Sequence, residues 1–281
     1  MKKWKNLAGA IPMLVWLGVL VGCPLIYVVV LSFATRGPTG LVVFEWSIQN
    51  YIRIFDPKHL RIFGLSMGMA ALTSLATLLV GYPFAYFTAK LGKRKRMLIL
   101  LLVMIPFWTS SLLRTYGWII LLQTQGLLNT ALQALGLIQE PVRYMYNYGT
   151  VLLVTVYMLL PFMILPIFNA VDKLDWAVPE AARDLGAKRS QAFWHIILPL
   201  TAPGILGGVT LVFIPAVGLF FISDLLGGAK TMLLGSLIRD QFGSGRNWPF
   251  GSALSVLMML GVMLFIWIYT RLAKGSEGGL F

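Results

Sequence analysis

The sequence predicts an all-α, polytopic membrane protein with six transmembrane helices. Of its 281 residues, 58% are hydrophobic and only 12% are charged. Soluble domains usually carry about 25% charged residues, so this composition fits a lipid bilayer better than water. In addition, uncharged stretches long enough to cross about 30 Å of hydrocarbon recur along the chain. The connections between them are short, and we therefore expect a single transmembrane domain over residues 1–281.

Six apolar stretches of spanning length define the predicted helices. They are Leu7–Thr35, Ile62–Ala89, Met97–Leu113, Tyr144–Val171, Leu198–Ser223 and Asn247–Thr270. The far limit of the third stretch is open, because Arg114 interrupts it and apolar sequence resumes at Trp118. The resumption fits either the outer end of a long tilted helix or an interfacial helix that runs to about Leu135.

The first stretch has two interpretations. Lys2, Lys3 and Lys5 followed by apolar residues also fit a signal peptide, and the sequence around Cys23 is similar to a lipoprotein cleavage site. However, the chain stays apolar beyond Pro24, over a length that spans the hydrocarbon. We therefore favour an uncleaved first transmembrane helix. Because Cys23 is the only cysteine, an intramolecular disulfide is excluded.

The distribution of Lys and Arg predicts the orientation of the spans. Most of these residues lie in the two tails, in the connection around residues 90–96 and in the connection at residues 173–200. Because cytoplasmic connections are enriched in positive charge, we expect both termini in the cytoplasm. The run Lys93–Arg96 fits a stop signal beside anionic membrane lipid. The net charge of +13 does not indicate a nucleic-acid partner, since the basic residues are interspersed with apolar runs.

The connection at residues 173–200 is the most informative segment, and local chemistry predicts two short helices in it. Pro179 suits the first position of a helix, and Gly186 suits the residue just past its end. A second helix is expected from about Ser190, which would cap it, with a hinge at Pro199 leading into the fifth span.

This connection resembles the coupling loop of permease subunits in binding-protein-dependent ABC importers. The shared pattern is Glu-Ala-Ala, three residues, Gly, nine residues, Ile, one residue and Leu-Pro. The resemblance implies that the segment docks into a cleft of a cytoplasmic ATPase and converts nucleotide-driven closure into movement of the spans. Asp184 is included because it shares a helix edge with the Glu of the pattern. The implied ATPase-coupling residues are Glu180, Ala181, Ala182, Asp184, Gly186, Ile196, Leu198 and Pro199.

The chain contains no phosphate-binding Gly-x-x-x-x-Gly-Lys-Ser/Thr loop, so ATP and Mg²⁺ are expected on a partner ATPase dimer and no cofactor in this chain. The resemblance also implies a second permease subunit and a periplasmic or extracellular binding protein. It places the chain in a bacterial inner membrane. An intramembrane protease is the main alternative from another class, but His59 and His195 lie in connections and no catalytic or metal-binding pattern accompanies them. We therefore expect no enzyme activity and no metal site.

A wider resemblance concerns the cargo. The segments at residues 81–85, 105–114, 160–163 and 223–230 are similar to those of the B-type permease subunits of spermidine/putrescine importers. This implies the MetI-like ABC importer permease fold with six spans and a polyamine cargo. An importer for another small solute, such as an oxyanion, a metal chelate or another organic cation, is the alternative. Arg114 is compatible with an oxyanion as the cargo, because basic groups favour anions.

Four residues are candidates for a cation path. A polyamine needs carboxylates or aromatic faces in place of water, and each aromatic face contributes about 0.5 to 2 kcal/mol. Asp224 is the acid at the outer rim of the fifth span, and Phe221 precedes it. Trp108 and Tyr116 flank Arg114 in the sequence. Other roles stay open: Asp224 as a solvated acid or a partner of Lys230, and the aromatic pair as interfacial anchors.

Overall fold

The computed structural model describes residues 12–13, 15–37 and 40–277, apart from the side chains of residues 229–230 and 272–277. The tail with Lys2, Lys3 and Lys5 lies outside the described residues. Two compact units divide the chain, Met1–Phe63 with Leu237–Gly261 and Gly64–Ser236 with Val262–Phe281. The single domain over residues 1–281 stays a prediction.

The described residues are mainly helical. The α-helices are α1 (Cys23–Ser32), α2 (Gln49–Ile54), α3 (Pro57–Ala89), α4 (Lys93–Met104), α5 (Ser111–Leu122), α6 (Leu127–Ala134), α7 (Tyr148–Asp172), α8 (Ala177–Asp184), α9 (Arg189–Ala192), α10 (Leu198–Gly218), α11 (Phe220–Ile222), α12 (Leu234–Phe242) and α13 (Trp248–Glu277). Segments of π-helix are Gly18–Gly22, Phe193–Ile197 and Ser223–Gly227, and 3₁₀ turns are Ile105–Trp108 and Gly228–Thr231. The strands are β1 (Thr35–Arg36) and β2 (Val42–Val43).

Five helical segments in the described part of the chain are long and apolar enough to cross a membrane. They are Val15–Ser32, Pro57–Ala89, Tyr148–Asp172, Arg189–Gly218 and Trp248–Arg271. A sixth candidate is a bent pair, Lys93–Trp108 followed by Ser111–Ala134. If the bent pair counts as one span, the number of spans equals the six predicted from the sequence.

The third predicted span is not a straight helix. After the 3₁₀ turn, Thr109 and Ser110 are extended, and the next helix leaves at an angle of 92°. The Thr109 hydroxyl donates to the carbonyl of Pro106 at 2.7 Å and so closes the turn. The interpretation as one long tilted helix is therefore wrong, and the apolar sequence around Trp118 forms the separate helix α5.

The first unit shows where the first span ends. Helix α1 stops at Ser32, so the predicted end at Thr35 is wrong, and Thr35 instead pairs with Val43 in a short antiparallel ladder. The side-chain amide of Asn50 donates to the carbonyls of Ser32 and Ala34, at 3.1 and 2.8 Å. These bonds satisfy carbonyl groups that the end of the helix leaves open.

The core of the second unit lies between α7 and α10. A side-chain carbon added at Gly204 would lie 2.5 Å from the Ala170 Cβ and 2.7 Å from the Pro166 carbonyl oxygen. A carbon added at Gly208 would lie 2.7 Å from the Met163 sulfur. Two small residues four positions apart therefore bring the helix backbones close together, as is common in lipid.

The fifth span begins earlier and ends earlier than predicted. The helix is continuous from Arg189 to Gly218, so the predicted hinge at Pro199 is wrong. The reason is the π-helical turn, in which the Leu198 amide donates to the Phe193 carbonyl and so shifts the hydrogen-bond register where proline lacks a donor. At Leu219, ψ of 72° ends the helix before the predicted Ser223.

Candidate functional site

The first helix of the 173–200 loop, α8, is closed at its C-terminus by backbone geometry. Gly186 has φ of +94°, a region that suits glycine. Its amide donates to the Arg183 carbonyl at 2.9 Å, and the Ala187 amide donates to the Ala182 carbonyl at 3.0 Å. This pair of bonds is the Schellman motif, and the predicted helix end at Gly186 is confirmed.

The starts of both loop helices differ from the prediction. Helix α8 begins at Ala177 and not at Pro179, because an Asp175 carboxylate oxygen accepts a hydrogen bond from the Ala177 amide at 3.0 Å. Helix α9 begins after Lys188 and not after Ser190, because the Lys188 amide donates to the Gln191 side chain at 2.8 Å. In each case a side-chain oxygen satisfies a backbone donor that a helix start leaves open.

Helix α8 has one apolar face that is open. Val178 is 46% exposed and Leu185 is 90% exposed, with the exposed Ala181 between them. Residues three, four and seven positions apart lie on one helix face, whereas Pro179 is buried. Leu185 was not among the predicted residues, although its spacing from Val178 was visible in the sequence. A face of this kind suits a groove on a partner protein.

The predicted coupling residues are distributed over both sides of the loop. Glu180, Ala181, Asp184 and Gly186 are exposed, and Ala182 is half-buried. A groove of about 470 Å³ adjoins the Gly186 turn and includes Ile196 on its wall. Leu198 and Pro199 are half-buried in the first turn of α10.

An aromatic cluster connects the loop to the spans. The Phe193 ring meets the rings of Tyr82 and Tyr86 edge-on, with centroids 5.8 and 5.9 Å apart. The Trp176 ring lies 6.0 Å from that of Tyr86. The hydroxyls of Tyr82 and Thr201 form a buried hydrogen bond of 3.0 Å. This cluster was not predicted, because the partners lie on helices distant in sequence.

The candidate path residues occupy two places. Asp224 is half-buried in the π-helical segment that follows Phe221, and α5, which carries Tyr116, packs against that segment. Trp108 is 82% exposed and lies in the 3₁₀ turn before the bend. The structure thus brings the helix of Tyr116 to the segment of Asp224. The side chain of Lys230, the alternative partner of Asp224, lies outside the described residues.

Arg114 lies beside the bend of the third span. Its guanidinium lies 4.7 Å from the centre of the Phe107 ring. Its Nε is buried and has no hydrogen-bond partner among the described residues. A cavity of about 340 Å³ next to it is lined by Trp118 and Tyr157. This arrangement holds the cation of Arg114 against an aromatic ring.

No group of three or more His, Cys, Asp or Glu side chains that could hold a metal ion occurs within the described ranges.

Comparisons with known proteins give concordant results. Residues 81–277 match a family described as "binding-protein-dependent transport system inner membrane component". The chain is 44% identical over 259 residues to the spermidine/putrescine transport system permease protein PotB of Escherichia coli, covering 92% of this chain and 94% of that protein. Identity to PotB of Haemophilus influenzae is also 44%, covering 92% and 91%. The fold is similar to a chain of the crystal structure of a bacterial alginate ABC transporter in complex with alginate pentasaccharide-bound periplasmic protein, with a TM-score of 0.79, 15% identity and coverage of 98% and 96%.

Proposed function

Because the chain belongs to the family of binding-protein-dependent transport system inner membrane components, we propose that it is the permease subunit of an ABC importer for spermidine and putrescine. The single observation that carries the choice of cargo is the 44% identity, over 92% of the chain, to spermidine/putrescine permeases. Identity of this extent covers the spans as well as the 173–200 loop.

The proposal includes three protein partners. A cytoplasmic ATPase dimer supplies the energy and binds ATP and Mg²⁺, a second permease of the C type completes the path, and a polyamine-binding protein delivers the cargo from outside. The 173–200 loop faces the cytoplasm, together with both termini. The charge distribution supports this orientation, because the connections assigned to the cytoplasm hold most of the Lys and Arg.

The open face of α8 is where the ATPase docks. Val178, Ala181 and Leu185 fill a groove on the ATPase, and Glu180 and Asp184 fix the register at the edge. Movement of α8 reaches the spans by two routes. One is the continuous helix from Arg189 into α10, and the other is the contact of Phe193 with the Tyr82 end of α3.

The cargo passes Asp224, Phe221, Tyr116 and Trp108. The carboxylate of Asp224 binds one ammonium group of the polyamine, and the aromatic rings receive others through cation–π contacts. The packing of α5 against the π-helical segment of Asp224 supports this assignment for Tyr116 and Asp224. Trp108 is assigned to the path from its position at the bend.

Uptake of radiolabelled spermidine tests the cargo and the path together. Cells that lack polyamine import and express this chain with its partner subunits should gain uptake that unlabelled putrescine inhibits. Asp224→Asn should reduce uptake at least tenfold, about 1.4 kcal/mol, because the neutral amide no longer offsets the charge of an ammonium group.

The matched control is Glu140→Gln, which removes another carboxylate predicted on the same side of the membrane but exposed in a different connection. It should leave uptake unchanged. Equal uptake by Asp224→Asn and the control, at equal membrane levels, would remove Asp224 from the path. No spermidine uptake by any variant or by the wild type would contradict the cargo itself.

An oxyanion is the second candidate cargo, favoured by the buried Nε of Arg114, which has no partner among the described residues. In the same cells, labelled sulfate or phosphate should not be taken up if the polyamine assignment is correct. Uptake of either anion that Arg114→Gln abolishes would establish this alternative.

A further inference from the structure

A cavity lies between α8 and the end of α3. Its volume is about 650 Å³, within the range of small-molecule sites. Lys90, Arg183 and Arg189 line it, together with a single carboxylate, Glu180. The ionisable lining therefore carries a net charge of +2, which favours an anionic occupant.

The rings of Tyr86 and Trp176 hold one of these cations in place without neutralising its charge. The Lys90 ammonium donates to the Tyr86 hydroxyl at 2.7 Å and lies 4.1 Å from the centre of that ring. It also lies 4.9 Å from the centre of the Trp176 ring. Contacts with aromatic faces position a cation but leave its full charge in place. Lys90 therefore presents a formal positive charge at the cavity.

The two arginines are also available. No carboxylate lies within 4.0 Å of the guanidinium of Arg183 or Arg189, as far as the described residues extend, and both side chains are exposed. Guanidinium groups bind phosphate oxygens through paired hydrogen bonds. One comes from α8 and the other from the start of α9, so one phosphate group could connect both loop helices to Lys90.

The position of the cavity indicates the source of the phosphate. It adjoins Ala89, the last residue of α3. Because α3 is long and apolar enough to cross a membrane, we expect its end where hydrocarbon gives way to headgroups. Tyr and Trp, here Tyr86 and Trp176, are enriched at that level of a membrane. Basic pockets beside transmembrane helices are known binding places for acidic headgroups. We propose that this cavity binds the phosphate of an acidic phospholipid, which holds the coupling helix α8 against the end of α3.

Lipid retention tests the proposal without any transport assay, so a failure here leaves the proposed function intact. The full-length chain is placed in nanodiscs of phosphatidylcholine mixed with phosphatidylglycerol, and bound lipid is counted by native mass spectrometry. The wild type should retain phosphatidylglycerol preferentially. Lys90→Gln, Arg183→Gln and Arg189→Gln should each weaken retention about fivefold, the equivalent of roughly 1 kcal/mol per basic residue.

The matched control is Lys173→Gln, which removes an exposed charge just past the end of helix α7, outside the cavity lining. It should leave retention unchanged, and equal loss in control and cavity variants would overturn the proposal in favour of diffuse attraction. Arg183→Lys, which keeps the charge, should retain most of the lipid, and circular dichroism checks that each variant is folded.

Two further arms separate the occupants. Inorganic phosphate added to the wild type in pure phosphatidylcholine nanodiscs should not bind measurably. If the wild type binds phosphate and Arg189→Gln does not, the cavity is a site for a soluble anion. If the cavity variants keep their lipid but lose the partner ATPase, the cavity is part of the protein interface and the lipid assignment is wrong.

Discussion

At the scale of single residues, the turn between the loop helices depends on Gly186. Its φ of +94° is a conformation that a side chain disfavours, although a carbon added there would meet nothing within 4 Å. The cost of a substitution is therefore backbone strain, and not a clash. This strain would act on the two hydrogen bonds that close α8.

Gly186→Ala should weaken the turn by about 1 to 2 kcal/mol, because a left-handed backbone is disfavoured by that amount for residues with a Cβ. The amides of residues 186 and 187 should exchange with deuterium roughly tenfold faster, as measured by hydrogen-exchange mass spectrometry. Gly186→Asn should show a smaller effect, since Asn adopts such conformations more readily.

The control is Gly92→Ala, at an exposed glycine with φ of −58° and nothing within 4 Å. It should not change exchange in the 186–187 turn. If the two alanine variants exchange equally there, the backbone of Gly186 is not the closing element of α8.

Residue chemistry explains which parts of the loop could be foreseen. The end of α8 was predictable because glycine marks a positive φ directly in the sequence. Its start was not, because the Asp175 carboxylate accepts a hydrogen bond from the Ala177 amide, and the helix begins two residues before the proline that suggested a beginning. The bond between Tyr82 and Thr201 could not be foreseen at all, since sequence does not show which helices adjoin.

At the scale of elements, the exposed face of α8 is the testable part of the coupling proposal. Leu185→Ala should weaken association with the ATPase about tenfold, roughly 1.4 kcal/mol, because the truncated side chain would bury less apolar surface in the groove of the ATPase. A titration of the ATPase onto the reconstituted permease would measure this change in affinity. Leu137→Ala, at a leucine that is 68% exposed in a different connection, is the control and should have no effect. If the wild type, Leu185→Ala and Leu137→Ala bind the ATPase equally well, Leu185 is not part of the interface.

The contact of α7 with α10 gives a prediction for stability. Gly204→Ala should lower the stability of the purified chain by about 1 to 3 kcal/mol, because the added carbon overlaps backbone atoms of α7 that cannot move aside. Thermal unfolding in detergent would measure the loss as a lower Tm. Gly64→Ala, at a position in α3 where an added carbon would meet nothing within 4 Å, should not lower Tm, because alanine is more favourable than glycine in a helix. An unchanged Tm for Gly204→Ala would show that the two helices are packed less closely than described.

Hydropathy predicts some features of the spans and not others. The five long candidate spans and the apolar bent pair were predictable, because length and lack of charge are read directly from the sequence. The 92° bend could not be predicted, because both helices of the bent pair are apolar and a proline can occur in a kinked or in a continuous helix. The sequence also does not show which side of an apolar span faces lipid, which is why Trp108 was assigned only by position.

For the whole molecule, orientation is the remaining prediction, and the single cysteine makes it measurable. In a Cys23→Ser background, Glu140→Cys should react with a membrane-impermeant maleimide on intact cells, because its connection is predicted outside. Lys95→Cys should react only after the cells are permeabilised. The opposite pattern would reverse the topology and place the 173–200 loop away from any ATPase.

The unbroken helix from Arg189 to Gly218 has a mechanical consequence. Its 30 residues correspond to a rod about 45 Å long, at roughly 1.5 Å per residue. A tilt of about 5° around one end would displace the other by roughly 4 Å, close to the rise of one helical turn. Because α10 packs tightly against α7 through Gly204 and Gly208, the two helices would move as one rigid body. A small shift at α8 would then become a larger displacement at the far end of the helix.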